Sequence, residues 1–135
     1  MTQRLFKVLF VDDDPDFRTE FTSLLKSNAF EVIEAASEEA AKSVLERDAF
    51  DIAVVNLMLE NSDSGFTICY QIKKKSPNIP VVLLNSANSE KSVEFSLESE
   101  SERAWIKANV ILEKPVRFEQ LLATIYDQMG IVGKV

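Results

Sequence analysis

Apolar positions along this chain fall into short blocks separated by stretches of helical period. The blocks are Leu5 to Val11, interrupted by Lys7, then Phe30 to Ala35, interrupted by Glu31 and Glu34, and the unbroken Ile52 to Val55 within Asp51 to Asn56, Val81 to Leu84, and Val110 to Leu112. Continuous apolar runs of this length, bounded by polar or turn residues, suit strands covered on both faces, as in a parallel sheet. Between them, Phe17, Phe21, Leu24 and Leu25 share one helix face, as do Ala40, Ala41, Val44 and Leu45. Phe66, Ile68, Cys69 and Ile72 predict a third helix, and Phe118, Leu121, Leu122, Ile125 and Met129 a final one. The end signals agree: Asp14 and Ser37 are placed to cap, Pro15 suits a first helical position, Lys73-Lys74-Lys75 suits a helix carboxyl end, and Asn28 and Gly130 mark stops. Strands alternating with helices predict a single α/β domain over residues 1–130, with 131–135 as a tail and right-handed crossovers covering both faces of a parallel sheet.

One stretch breaks the pattern. From Ser89 to Arg103 the chain turns Ser- and Glu-rich, and Val93, Phe95 and Leu97 alternate with Glu94, Ser96 and Glu98. A period of two does not suit an amphipathic helix, although Glu102 to Ala108 supplies residues for a short one. The segment reads as solvated surface, with Trp105 packing it onto the domain. Pro77 and Pro80 bracket a turn, and Ser62 to Gly65 reads as a loop.

Composition narrows the function. At 135 residues, 46% hydrophobic and 27% charged, the chain matches an ordinary globular domain with room for one core. Its net charge of −7 argues against a nucleic-acid or anionic-membrane surface, either of which needs clustered Lys and Arg. The single cysteine, Cys69, admits no intrachain disulfide and suits a reducing compartment. No apolar stretch is long enough for a signal peptide or a membrane span, so the expected location is the cytoplasm. With no histidine, the chain offers no His metal site, no Ser-His triad and no phosphohistidine chemistry of its own.

What remains is a set of polar residues at strand ends. Asp12-Asp13 follows the first strand, Asn56 the third, Asn85-Ser86 the fourth and Lys114 the fifth. In a parallel sheet these carboxyl ends lie along one edge, so residues far apart in sequence can meet in one pocket. Taken singly each has a plainer explanation: Asp12 to Asp14 as a capping cluster, Lys114 as a solvated lysine, Asn56 and Asn85 as strand-terminating amides.

Taken together, four segments resemble the receiver domains of two-component response regulators. They are Val11-Asp12-Asp13-Asp14-Pro15, Asn56-Leu57-Met58-Leu59 with Asp63-Ser64-Gly65-Phe66, Ile79-Pro80-Val81-Val82-Leu83-Leu84, and Glu113-Lys114-Pro115-Val116. The resemblance covers nearly the whole chain. It implies a flavodoxin-like, doubly wound sheet of five parallel strands in the order 2-1-3-4-5, with an atypical region between strands 4 and 5. It also implies that Asp12 and Asp13 match the acidic pair that holds Mg²⁺, and that Lys114 matches the lysine that reaches phosphoryl oxygens.

Two site positions depart from the pattern. Asn56 stands where receivers carry the phosphorylated aspartate, and Asn85 where they carry a Thr or Ser that meets the phosphoryl group; in addition, Ile111 matches the switch aromatic of many receivers. An amide is no carboxylate nucleophile, so no acyl phosphate is expected at Asn56, and Mg²⁺ binding is expected to be weak or absent. The resulting expectation is a pseudo-receiver: not an enzyme, acting through protein partners such as a histidine kinase or a downstream regulator, with homodimerisation among the arrangements the resemblance allows. Phosphorylation at Asp63 is poorly motivated. One alternative is that Asn56 replaces a native aspartate in a Mg²⁺-dependent phosphoacceptor. Another is that the acidic pocket binds a small molecule or metal unrelated to phosphotransfer. The chain reads as a stand-alone regulator or as a piece of a longer protein.

Overall fold

Valine, isoleucine, leucine and phenylalanine in runs of four or more can bury side chains on both sides of a sheet, and the chain uses them so. The computed structural model describes residues 5–59, 64–86 and 108–130. The elements are β1 (Phe6–Val11), α1 (Pro15–Ser27), β2 (Phe30–Ala35), α2 (Glu38–Arg47), β3 (Ile52–Asn56), α3 (Ser64–Lys75), β4 (Val81–Ser86), β5 (Val110–Lys114) and α4 (Phe118–Met129). All strand pairings are parallel, in the order β2-β1-β3-β4-β5. This is the flavodoxin-like sheet that the resemblance implies.

Strand alternation divides the core in two. Leu9, Val11, Ala53, Val55, Val81 and Leu83 face α2 and α3, meeting Ala41, Val44, Ile68, Cys69 and Ile72. Val8, Phe10, Ile52, Val54, Val82 and Leu84 face α1 and α4, meeting Phe21, Leu25, Leu121 and Ile125. Each such aliphatic or aromatic side chain contributes about 1.5–3 kcal/mol when fully buried, which is why the central strand β3, buried along its whole length, anchors the fold.

Local chemistry sets the helix ends. The Asp14 carboxylate accepts from the Asp16 and Phe17 N–H groups at 3.0 and 3.3 Å, with Pro15 at the first position of α1. The Ser37 hydroxyl accepts from the Ala40 N–H at 3.0 Å to start α2. Gly130, in the left-handed region at φ 68°, closes α4.

Three boundaries differ from the sequence expectation. β4 runs on through Asn85 and Ser86, and β5 through Glu113 and Lys114, because the ladder pairs Asn85 with Glu113 and Ser86 with Lys114 through backbone groups that side-chain polarity does not disturb. Ser64 and Gly65 begin α3 and are not loop residues. The expectations placed on Ser62, Asp63, residues 89–103, Trp105 and the 131–135 tail lie outside the described residues. Among the described residues no helix is long and apolar enough to cross a membrane.

Candidate functional site at the carboxyl edge of the sheet

Asp12 is the first residue beyond β1, and its backbone is held from two sides. Its N–H donates to the Ala35 carbonyl at the end of β2 (3.1 Å). Its own carbonyl accepts from Arg18 Nη1 (2.7 Å), while Arg18 Nε donates to Glu34 Oε1 (3.3 Å). The carboxylate is fully buried. Oδ1 accepts from the Asp14 N–H and Oδ2 from Lys114 Nζ, each at 2.9 Å. Burial pushes the Asp12 carboxyl above its ordinary value of 3.8; the Asp14 N–H and Lys114 pull the other way, and Asp13 adds to the rise.

Lys114 ends β5, which β4 and β3 separate from β1, so its ammonium spans the carboxyl ends of both to meet Asp12. On its other side the ammonium lies 4.1 Å from the centroid of the Phe17 ring. That ring stacks on Phe21 at 4.2 Å and tilts against Phe10 at 6.1 Å. A cation–π contact of this kind adds roughly 0.5–2 kcal/mol and keeps the lysine extended along the sheet edge. Sequence reading placed Phe17 on the core face of α1 and missed this second role; no spacing between Phe17 and Lys114 could have signalled it.

Asn56, at the end of β3, is buried at 5% exposure. Its Nδ2 donates to the Met58 carbonyl at 2.6 Å, two residues on, and its Oδ1 is buried with no hydrogen-bond partner among the described residues. The Leu57 N–H donates to Leu84 O, and the Gly65 N–H returns to Leu57 O, both at 2.8 Å. At Gly65 a Cβ would lie 2.5 Å from Leu57 Cα and 2.9 Å from the Asn56 carbonyl, so only glycine lets α3 begin this close to β3.

The predicted site residues therefore divide. Asp12 and Lys114 are in direct contact, and Asn56, which follows Val55, the ladder partner of Val11, alternates onto the face of Val54, as Lys114 does onto that of Leu112. Asp13 is exposed beside them. Asn85, buried at 4% exposure with its Oδ1 lacking a partner among the described residues, belongs to the row of Val81 and Leu83 on the α2/α3 side, the side on which Ile111 packs. In the ladder Asn85 pairs with Glu113, one residue short of Lys114, so strand alternation turns Asn85 away from the face of Lys114.

A five-stranded parallel sheet with a buried aspartate, a lysine and a buried strand-end residue along its carboxyl edge defines the receiver class. Residues 8–126 match the response regulator receiver domain family, and the chain belongs to that family. Among its relatives, the heme response regulator HssR of Staphylococcus aureus strain MRSA252 is 31% identical over 122 residues, covering 90% of this chain and 50% of that protein. The chain thus spans about half the length of the curated relatives it matches. In fold it is similar to a CheY-like receiver domain protein from Methanospirillum hungatei (TM-score 0.79, 22% identity, 94% of this chain and 95% of that one). It is also similar to NtrX from Brucella abortus (TM-score 0.76, 20% identity, 94% of this chain and 27% of that one).

Receivers typically hold Mg²⁺ at the phosphorylation site. A hard divalent cation requires several free oxygen ligands. Here both Asp12 oxygens accept hydrogen bonds, and the Met58 carbonyl is taken by the Asn56 amide. Among the described residues no group of three or more carboxylates or thiols converges. Among the described residues the oxygens left for a cation are the exposed Asp13 carboxylate, the remaining lone pairs of Asp12 and the buried Asn56 amide oxygen, with an amide where the resemblance implies a third carboxylate, a donor set that suits a divalent cation less well.

Proposed function

We propose that this chain is a receiver-type signalling module that acts by protein–protein contact and does not acquire a phosphoryl group at its strand-end site. The observation that carries this reading is Asn56 itself, a buried amide hydrogen-bonded to a backbone carbonyl at the position that resembles the phosphoacceptor. Acyl phosphate formation needs a carboxylate oxygen to bond to phosphorus as the donor's leaving group departs; the amide nitrogen has its lone pair delocalised into the carbonyl and both hydrogens in place. The partners are signalling proteins, a histidine kinase or a downstream regulator. Without a third carboxylate the site charge is smaller, so a weak or absent Mg²⁺ requirement belongs to the same reading. Against a replaced native aspartate weighs Asn85, a second departure from the receiver pattern that a single replacement at position 56 does not explain.

Intact-mass measurement after incubation with Mg²⁺ and acetyl phosphate tests this, using the unaltered chain and Asn56→Asp. We expect no mass gain on the unaltered chain and addition of one phosphoryl group to the variant. A stoichiometric gain on the unaltered chain overturns the reading.

A further inference from the structure

We infer that the Asn56 amide nitrogen occupies the place a cation would have to fill if residue 56 were a carboxylate, so that the β3 end is held in one arrangement without metal. The inference rests on the pseudo-receiver reading and deepens it by naming what takes over the electrostatic role of the ion. Asn56 Nδ2 lies 2.6 Å from the Met58 carbonyl oxygen, a short hydrogen bond. In an aspartate of the same shape that nitrogen becomes a second oxygen, and two negatively polarised oxygens then face each other at that distance with no hydrogen between them. The other oxygen of residue 56 is already buried with no partner among the described residues.

A carboxylate here would therefore have one oxygen against a carbonyl and one with no donor among the described residues, on the strand adjacent to the one that ends in the buried Asp12 carboxylate. A proton or a cation between the oxygens relieves that arrangement. The amide satisfies the carbonyl with its own N–H and removes the charge in the same step. The Met58 hydrogen bond pins the start of the β3–α3 connection from one side, and the Gly65 N–H bond to Leu57 O pins it from the other. The described ends of the connection are thus tied by hydrogen bonds within the polypeptide.

Thermal unfolding in EDTA and in about 10 mM MgCl₂, with the unaltered chain, Asn56→Asp and Asn56→Ala, tests the inference. The unaltered chain should melt at the same temperature in both buffers. Asn56→Asp should melt lower in EDTA and recover by about 4 °C in Mg²⁺, the shift expected for a millimolar site on a domain of this size. Asn56→Ala loses the donor but adds no charge, so it should melt lower in both buffers and ignore Mg²⁺. A comparable Mg²⁺-dependent rise in the unaltered chain or in Asn56→Ala overturns the inference, as does an Asn56→Asp chain that is stable in EDTA and indifferent to Mg²⁺. If Asn56→Asp does not fold in EDTA, folding on Mg²⁺ addition supports the inference and failure in both buffers contradicts it. Phosphoryl gain by a Mg²⁺-indifferent unaltered chain overturns the functional reading alone; Mg²⁺ stabilisation of an unaltered chain that gains no phosphoryl overturns this inference alone.

Discussion

Asp12 sits fully buried with Lys114 on one oxygen and the Asp14 N–H on the other, yet burial still wins and raises its pKa. Because the folded value lies above the unfolded one, near 3.8, folding favours the protonated form. The associated stability is present below that pH and is lost as pH rises through the folded value. At neutral pH the charged Asp12 therefore works against the fold. Asp12→Asn keeps an oxygen for the Asp14 N–H, removes the buried charge, and leaves Lys114, partly exposed, free to hydrate. We expect Asp12→Asn to unfold at higher urea concentration than the unaltered chain at pH 7, with the difference shrinking as pH falls toward 3.8; a lower midpoint at pH 7 would show that the ion pair outweighs burial. Much of this site was legible in sequence, because Asp12, Asn56 and Lys114 each end an apolar run. The partners of those residues were not: the Met58 carbonyl and the Asp14 N–H are backbone groups with no sequence signature, and Phe17 looks like any core aromatic.

The β3–α3 junction is the element on which the site depends. Gly65 allows α3 to start against Leu57, and Gly65→Ala would drive a methyl group to 2.5 Å from a backbone atom that cannot rotate away. The expected loss is about 1–3 kcal/mol in urea unfolding with an unchanged m-value; a neutral outcome would mean that the junction yields easily. Caps were readable here because Asp14, Ser37 and Gly130 act through local hydrogen bonds and backbone angles. The reach of Lys73 was not. It is one of three lysines in the last turn of α3, as expected, but it also reaches the Ile79 carbonyl at 2.7 Å and Asn109 Oδ1 at 2.6 Å, and Asn109 Oδ1 also accepts from the Val81 N–H at 2.9 Å. That cluster ties α3 to the starts of β4 and β5, through a Lys73–Asn109 contact 36 positions apart that no local pattern encodes. Burial accordingly lowers the Lys73 pKa.

For the whole molecule, the apolar blocks and helical spacings indicated an alternating α/β fold, because strands buried on both faces and amphipathic helices have different periods. Strand order did not come from periodicity. It came from the resemblance of four segments to one family, and the sheet order agrees. The same order lets β1 and β5, the outer contributors to the site, be joined over β3 and β4 by one lysine. A receiver built this way keeps its scaffold and its lysine–aspartate contact, while its third strand end is closed by an amide. The most direct test is a pair of ¹⁵N–¹H correlation spectra of the unaltered chain, alone and with Mg²⁺ and acetyl phosphate. The spectra should superimpose. A second set of resonances at Asn56, Asn85 and Lys114 would contradict the account, since it would show a strand-end site that still changes state with a phosphoryl donor.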